Sequence, residues 1–207
     1  MGSVRVIFPT LVYTENMSRI FTATRDIFEQ KSLEYKQNFK GVTDWECYST
    51  AGVVNLIEEE IFEELIRVCT HRVNIFASEY NVHGTVKCCE AWINVNSPGD
   101  YQEFHIHEYT AFSAVYYVKT PLNSGILELL KGSEFFNINP TLFNNNNSRT
   151  INSRTREVFT PHEHDLIIFR SDLPHRVSKN NSSEDRISIS MNFVIEPSAP
   201  LAGLVLP

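Results

Sequence analysis

Three histidines in this sequence have spacing suited to a metal ion: His105 and His107 flank Ile106, and His175 follows about seventy residues on. Residues two apart in a β-strand point to the same face, so an H-x-H pair in a strand can aim both imidazoles at one point. A third imidazole from a distant strand would close a three-sided face on a cation and leave the opposite positions open for chemistry. Arg186-Ile187-Ser188 begins eleven residues after His175. A planar guanidinium there can hold a carboxylate beside the metal through two parallel donors. Ser188 lies on the same strand face and can add a hydroxyl.

Non-haem iron(II) sits on facial sets of this kind, commonly two histidines and a carboxylate, with positions left for cosubstrate and O₂. Borderline metals accept neutral imidazole well, so three histidines can also serve. A rival pair, His162-Glu163-His164, lies between Pro161 and Asp165 in what reads as a turn, where side chains do not keep strand alternation. The plain alternative for any of these histidines is a surface residue or a hydrogen-bonded core residue. For Arg186 it is an ordinary surface salt bridge.

The elements that must position these groups are legible in outline. Residues 4–8 read as a strand ended by Pro9, residues 17–35 as loosely helical, and 44–49 as a short extended piece around Trp45. From about 55 to 80, Ile57, Ile61, Leu65, Val68 and Phe76 recur at helical spacing, and Glu58, Glu59, Glu60, Glu63 and Glu64 crowd the first turns as a solvated acidic face. Strand-like runs then follow at 86–95, 101–107, 112–118, 126–130, 157–159, 165–169, 175–178 and 186–195, with turns at 96–100 and 123–125. About eight short strands at regular spacing predict a mainly β fold, a jelly roll or related double-sheet barrel. Asn144 to Asn147, with Arg149, Arg154 and Arg156, marks a long polar loop of the length used for lids and binding loops.

Composition sets the outer limits. The 207 residues are 42% hydrophobic and 12% aromatic, enough for a real core. The formal net charge of −7 lacks the footprint of a nucleic-acid binder. No stretch approaches membrane-spanning length and the start has no signal-peptide layout, so a cytoplasmic protein is expected. Cys47, Cys69, Cys88 and Cys89 lack C-x-x-C spacing and read as reduced thiols packed as small hydrophobes.

The stretch from Trp92 to Phe193 resembles the iron(II)/2-oxoglutarate-dependent oxygenases, and within them a small phage- and bacterium-associated branch. The motifs that carry the resemblance are Trp92-Ile93-Asn94, His105-Ile106-His107, Ser113-Ala114-Val115-Tyr116-Tyr117-Val118, Leu173-Pro174-His175 and Arg186-Ile187-Ser188. The resemblance implies a double-stranded β-helix over residues 86–196, supported by the strand and helices of 1–85 and followed by a tail at 197–207. The helical first third would then serve as a dimerisation element, giving a homodimer, or only as packing for the barrel. A phage-encoded protein in a bacterial host fits the branch.

Carried over residue by residue, His105 matches the first metal histidine and His175 the distal one. His107 occupies the slot where most of the superfamily has an acid. Either the site is an all-histidine face or Glu108, Glu103 or Asp172 supplies the carboxylate; strand alternation sends Glu108 to the face opposite His107, which favours three histidines. Arg186 matches the arginine that pairs with the far carboxylate of 2-oxoglutarate, helped by Ser188 and Tyr117. Tyr116 must face the other way, and Tyr117 has the alternative of being a core aromatic. Asn94 and Asn192 are candidates to line the pocket.

The activity implied is an Fe(II)- and 2-oxoglutarate-dependent dioxygenase that uses O₂ to hydroxylate a C–H bond of a protein side chain, nucleotide or metabolite. Two other classes compete. A cupin-like metal enzyme would use Arg186 for its own substrate's acid group, without 2-oxoglutarate. A non-catalytic jelly-roll module would bind a partner through the 144–156 loop.

Overall fold

In the computed structural model, residues 9–130 and 156–198 are described. The strand expected at 4–8 and the polar loop expected at 144–156 lie outside them, except for Arg156, which opens a strand. The elements run β1 (Tyr13–Asn16), α1 (Ser18–Phe21), α2 (Arg25–Asn38), β2 (Tyr48–Ser49), α3 (Glu60–Ser78), β3 (Thr85–Asn96), β4 (Gln102–His105) and β5 (Phe112–Lys119). They continue with β6 (Leu127–Leu130), β7 (Arg156–Phe159), β8 (Asp165–Arg170), β9 (His175–Val177) and β10 (Arg186–Glu196). All eight strands expected after residue 80 are present, most within a residue or two of their expected ends.

Two antiparallel sheets face each other, a double-stranded β-helix. The larger has the order β1-β8-β5-β10-β3-β2 and the smaller β4-β9-β6-β7. The large sheet takes both its edge strands, β1 and β2, from the first 85 residues, so that region does more than carry helices. Its spine is the β3–β10 ladder, running from Arg186↔Asn96 to Glu196↔Thr85 with an irregularity at Asn192/Phe193.

Strand alternation gives this sheet two unlike faces. Ala91, Ile93 and Val95 of β3, Ala114, Tyr116 and Val118 of β5, and Ile187, Ile189 and Met191 of β10 join the helices in one apolar core. There Phe21 and Phe28 set their rings against Tyr116 at 5.6 and 6.3 Å. The intervening residues, Trp92, Asn94, Tyr117, Arg186, Ser188 and Ser190, turn to the small sheet and line a cleft. Apolar–polar alternation ordinarily marks a strand with one wet face; here residues 186–193 are buried throughout, and the polar face is enclosed.

The helical stripe differs from the one read in the sequence. Leu65, Val68 and Phe76 are buried as expected, with Phe62, Cys69 and Val73, whereas Ile57 and Ile61 are exposed. For Ile57 the reason lies just before the helix. A separate 3-10 turn, Leu56–Glu58, breaks the register between residue 57 and the helix proper. Asn55 caps that turn, and its side chain also bonds Ala91 N (3.1 Å) and Cys89 O (3.4 Å) on β3. The helical reading of 17–35 resolves into α1 and α2, and the extended piece at 44–49 contracts to β2.

Candidate metal and cosubstrate site

His105 closes β4 and pairs directly with His175, the first residue of β9. His107 is not in the strand: β4 stops at His105, and His107 sits two residues past its end. Simple alternation therefore does not aim the pair. The turn does, fixed by His107 N donating to Ser171 O at 3.0 Å, while Ser171 Oγ lies 2.9 Å from Ser113 Oγ. The three ring centroids are 4.2 Å apart for His105–His175 and 5.1 Å for each of the other two pairs. One ligand atom from each ring lies within 4.8 Å of the others.

The donor chemistry fits a cation. His105 Nδ1 stands 2.7 Å from Glu103 O, and His175 Nδ1 stands 2.9 Å from Leu173 O. A carbonyl only accepts, so each Nδ1 carries the proton and each Nε2 keeps its lone pair, the tautomer a metal needs. Burial, with the neighbouring imidazoles adding to it, pushes His107 down to about 4 and His175 to about 3; burial also lowers His105. All three rings are thus neutral at ordinary pH. Glu103, Glu108 and Asp172 stay out of the cluster, and Asp172 is paired with Arg170.

Arg186 is almost wholly buried, 1% exposed, at the far end of the same cleft. Its one hydrogen bond runs from Nη2 to Asn96 Oδ1 at 3.3 Å; Nε and Nη1 are buried without a partner. No carboxylate among the described residues pairs with it, and burial lowers its pKa. An uncompensated interior charge costs several kcal/mol, about what an anionic ligand would offset. Tyr117 sets its ring 5.7 Å from the guanidinium, and Ser188 lies opposite Tyr117 and Asn94 in the ladder.

The cleft encloses ≈ 420 Å³ of atom-free space, part of it open to solvent. Among the expected site residues, His105, His107, His175, Arg186, Ser188, Tyr117 and Asn94 line it. Asn94 donates to Ser190 Oγ at 3.0 Å. Asn192 does not line it. Its Oδ1 accepts from Ser113 Oγ at 2.9 Å, and its Nδ2 reaches Glu90 Oε2 at 3.3 Å, so it serves the turn that holds His107. Tyr116 points to the helices and bonds His164 Nδ1 at 3.0 Å. That bond and the exposure of His162 dispose of the rival pair.

Sequence reasoning gave no role to Trp45, Trp92, Gln102, Ser113, Phe169 and Ser190, which also line the cleft. For Trp92, Ser113 and Ser190 the signal was available, since they share strand faces with residues already singled out. Trp45 had none, because it arrives on a loop from the first third of the chain.

Three neutral imidazoles, His175 buried and the other two half-buried, share one cleft of the double-stranded β-helix with a buried guanidinium, a donor set that could hold a metal and an acidic ligand. The sequence model of the family described as "Putative 2OG-Fe(II) oxygenase" matches residues 90–192. The chain belongs to the 2OG-Fe(II) oxygenase family, whose cofactors are Fe(II) and 2-oxoglutarate. No curated protein matches the sequence.

Solved structures share the fold at low identity. A Pseudomonas putida prolyl-4-hydroxylase superposes with TM-score 0.61 at 11% identity, over 90% of this chain and 94% of its own. The epimerase SnoN from nogalamycin biosynthesis, solved with Fe3+, alpha ketoglutarate and nogalamycin RO, gives 0.63 at 12%, over 96% and 88%. The viral collagen prolyl hydroxylase of Paramecium Bursaria Chlorella virus-1, a 2OG complex, gives 0.57 at 13%, over 89% and 96%.

Proposed function

We propose that His105, His107 and His175 hold the iron, and that Arg186, Ser188 and Tyr117 anchor the far carboxylate of 2-oxoglutarate, in an enzyme that hydroxylates a C–H bond. The observation that carries this reading is the buried Arg186, with no carboxylate partner, in one cleft with three histidines whose ligand atoms converge. When bound, iron and 2-oxoglutarate supply an oxidative decarboxylation in which O₂ delivers one oxygen atom to a substrate C–H bond and the other to succinate, with release of CO₂.

The protein's own part is binding, orientation and exclusion of water. Arg186, itself buried, offers the unused N–H groups of Nε and Nη1 to a carboxylate, and a charge-assisted pair there is strong. Tyr117, fully buried, has a phenol pushed up to about 12 by burial, so it remains a donor. The three neutral rings bring one less negative charge than a set with an acid, so the metal is held less tightly. Residues 86–196 form the catalytic core in this reading, with 1–85 completing its large sheet. Four unbridged cysteines fit a reducing, cytoplasmic setting; no helix among the described residues is long and apolar enough to cross a membrane.

Anaerobic titration of the metal-free protein with Fe(II) and then 2-oxoglutarate tests this. A visible charge-transfer band should develop in the wild type and be lost in His175→Ala. Release of succinate only when 2-oxoglutarate is supplied separates this enzyme from a cupin-like one. A wild type that gives no band overturns the assignment.

A further inference from the structure

Trp92 opens the W-x-N segment, yet neither the metal nor the anchor for the far carboxylate uses it. It is 3% exposed, it lines the cleft, and its Nε1–H is buried with no acceptor. An indole N–H can only donate, and an unmet buried donor is expensive, so its natural partner is an oxygen-bearing ligand.

Unmet donors stand at two ends of the same face of the large sheet, Trp92 at one end and Arg186 with Asn96 Nδ2 at the other. Arg186 pairs with Asn96 across the ladder, and Trp92 pairs with Ser190. The two positions are four residues apart along β3, about 13 Å of strand. Ser188 lies between them, opposite Asn94. The Arg186 guanidinium lies 5.7 Å from the ring of Tyr117, which stands opposite Ser188 in the ladder. Donors at both ends of one row suit a ligand with acceptors at both of its own ends. The Trp92 end is the metal end, since its ring centroid is 5.6 Å from that of His107.

Resting on the reading above, we propose that Trp92 Nε1–H is the donor for the metal-side carboxylate of 2-oxoglutarate, so that the cosubstrate is held between Trp92 and Arg186. Of the neighbouring amides, Asn94 Nδ2 gives one N–H to Ser190 Oγ and Gln102 Nε2 gives one to Asn94 Oδ1 at 3.4 Å, whereas the Trp92 N–H gives its only one to nothing.

The chain has two tryptophans, and both line the cleft. In Trp45→Phe protein loaded with diamagnetic Zn(II), a single indole N–H signal remains in a proton–nitrogen spectrum, that of Trp92. Adding 2-oxoglutarate should move this signal downfield and slow its exchange with solvent. By calorimetry, Trp92→Phe in the otherwise native chain should bind 2-oxoglutarate about tenfold more weakly, the worth of one hydrogen bond to a charged group. If heat of binding is seen while the indole signal stays put, or if Trp92→Phe binds as tightly as wild type, the proposal is overturned and the Arg186 anchor stands. If Zn(II)-loaded protein shows no binding of 2-oxoglutarate at all, both fall together. Should Trp92→Phe fail to fold, the spectrum of the Trp45→Phe protein decides alone.

Discussion

The two faces of the large sheet are built from the same three central strands and do opposite work. On the helix side, Ile187, Ile189, Ala114, Tyr116, Ile93 and Val95 join the helices in an apolar core, where the unmet polar atoms are two neutral hydroxyls at its margin, those of Tyr48 and Tyr80. On the cleft side, one residue away in each strand, sit an unpaired guanidinium, an unpaired indole N–H and a row of amides and hydroxyls. Burial is nearly equal on both. The difference is that the helix face has spent its interaction energy on folding, while the cleft face holds some unspent for a ligand. Polar groups left wanting inside a protein weaken it, so their presence here marks the site.

Substitutions can break or sharpen that contrast. The largest effect is expected from His175→Ala, which removes the most buried ring of the triad: iron should no longer co-purify or titrate stoichiometrically, as metal analysis would show, while the fold persists. Next comes Arg186→Met, of similar length and without charge. Half-saturation by 2-oxoglutarate should rise about 100-fold or more, the cost of losing one partner of a buried charge pair. The thermal midpoint of the metal-free protein should hold or rise, because an uncompensated charge has gone. A clear fall in the midpoint would mean that Arg186 serves the fold after all.

Ile189→Ala, on the other face, should cost roughly 2–5 kcal/mol in a denaturant titration and leave the cosubstrate constant of the folded fraction unchanged. Acidification should be milder. Imidazoles have an ordinary value of 6.5, and burial pushes His107 to about 4 and His175 to about 3. Unfolded rings therefore take up protons that the folded ones refuse. The metal-free protein should keep its full stability above 6.5 and lose it progressively as pH falls toward 4, less so in His107→Phe. Equal slopes for the two proteins would contradict this.

The smallest and sharpest test uses adjacent tyrosines. Tyr117→Phe should weaken 2-oxoglutarate about tenfold at unchanged stability, and Tyr116→Phe should cost about 1 kcal/mol of stability at unchanged affinity. If the two variants behave alike, the faces are not distinct in function.

Much of this was open to a reader of the sequence. The strands after residue 80 carry period-2 patterns bounded by turn residues, and alternation alone separated Tyr117 from Tyr116. β1 escaped because Tyr13-Thr14-Glu15-Asn16 has no apolar face to show; only its pairing with β8 makes it a strand. Ile57 misled because it keeps helical spacing while lying in the separate turn at Leu56–Glu58. Asn192 shares the strand parity of Ser188, but Ser113 and Glu90 engage its side chain before the cleft begins.

The sequence by itself determined which groups are present and which face of each strand they take, because side-chain direction in a strand follows from local geometry. It determined neither the convergence of His107, which depends on a turn pinned by Ser171, nor the isolation of Arg186. Whether a charge has a partner depends on everything packed around it, from β2 to β10, and that neighbourhood exists only once the two sheets have closed.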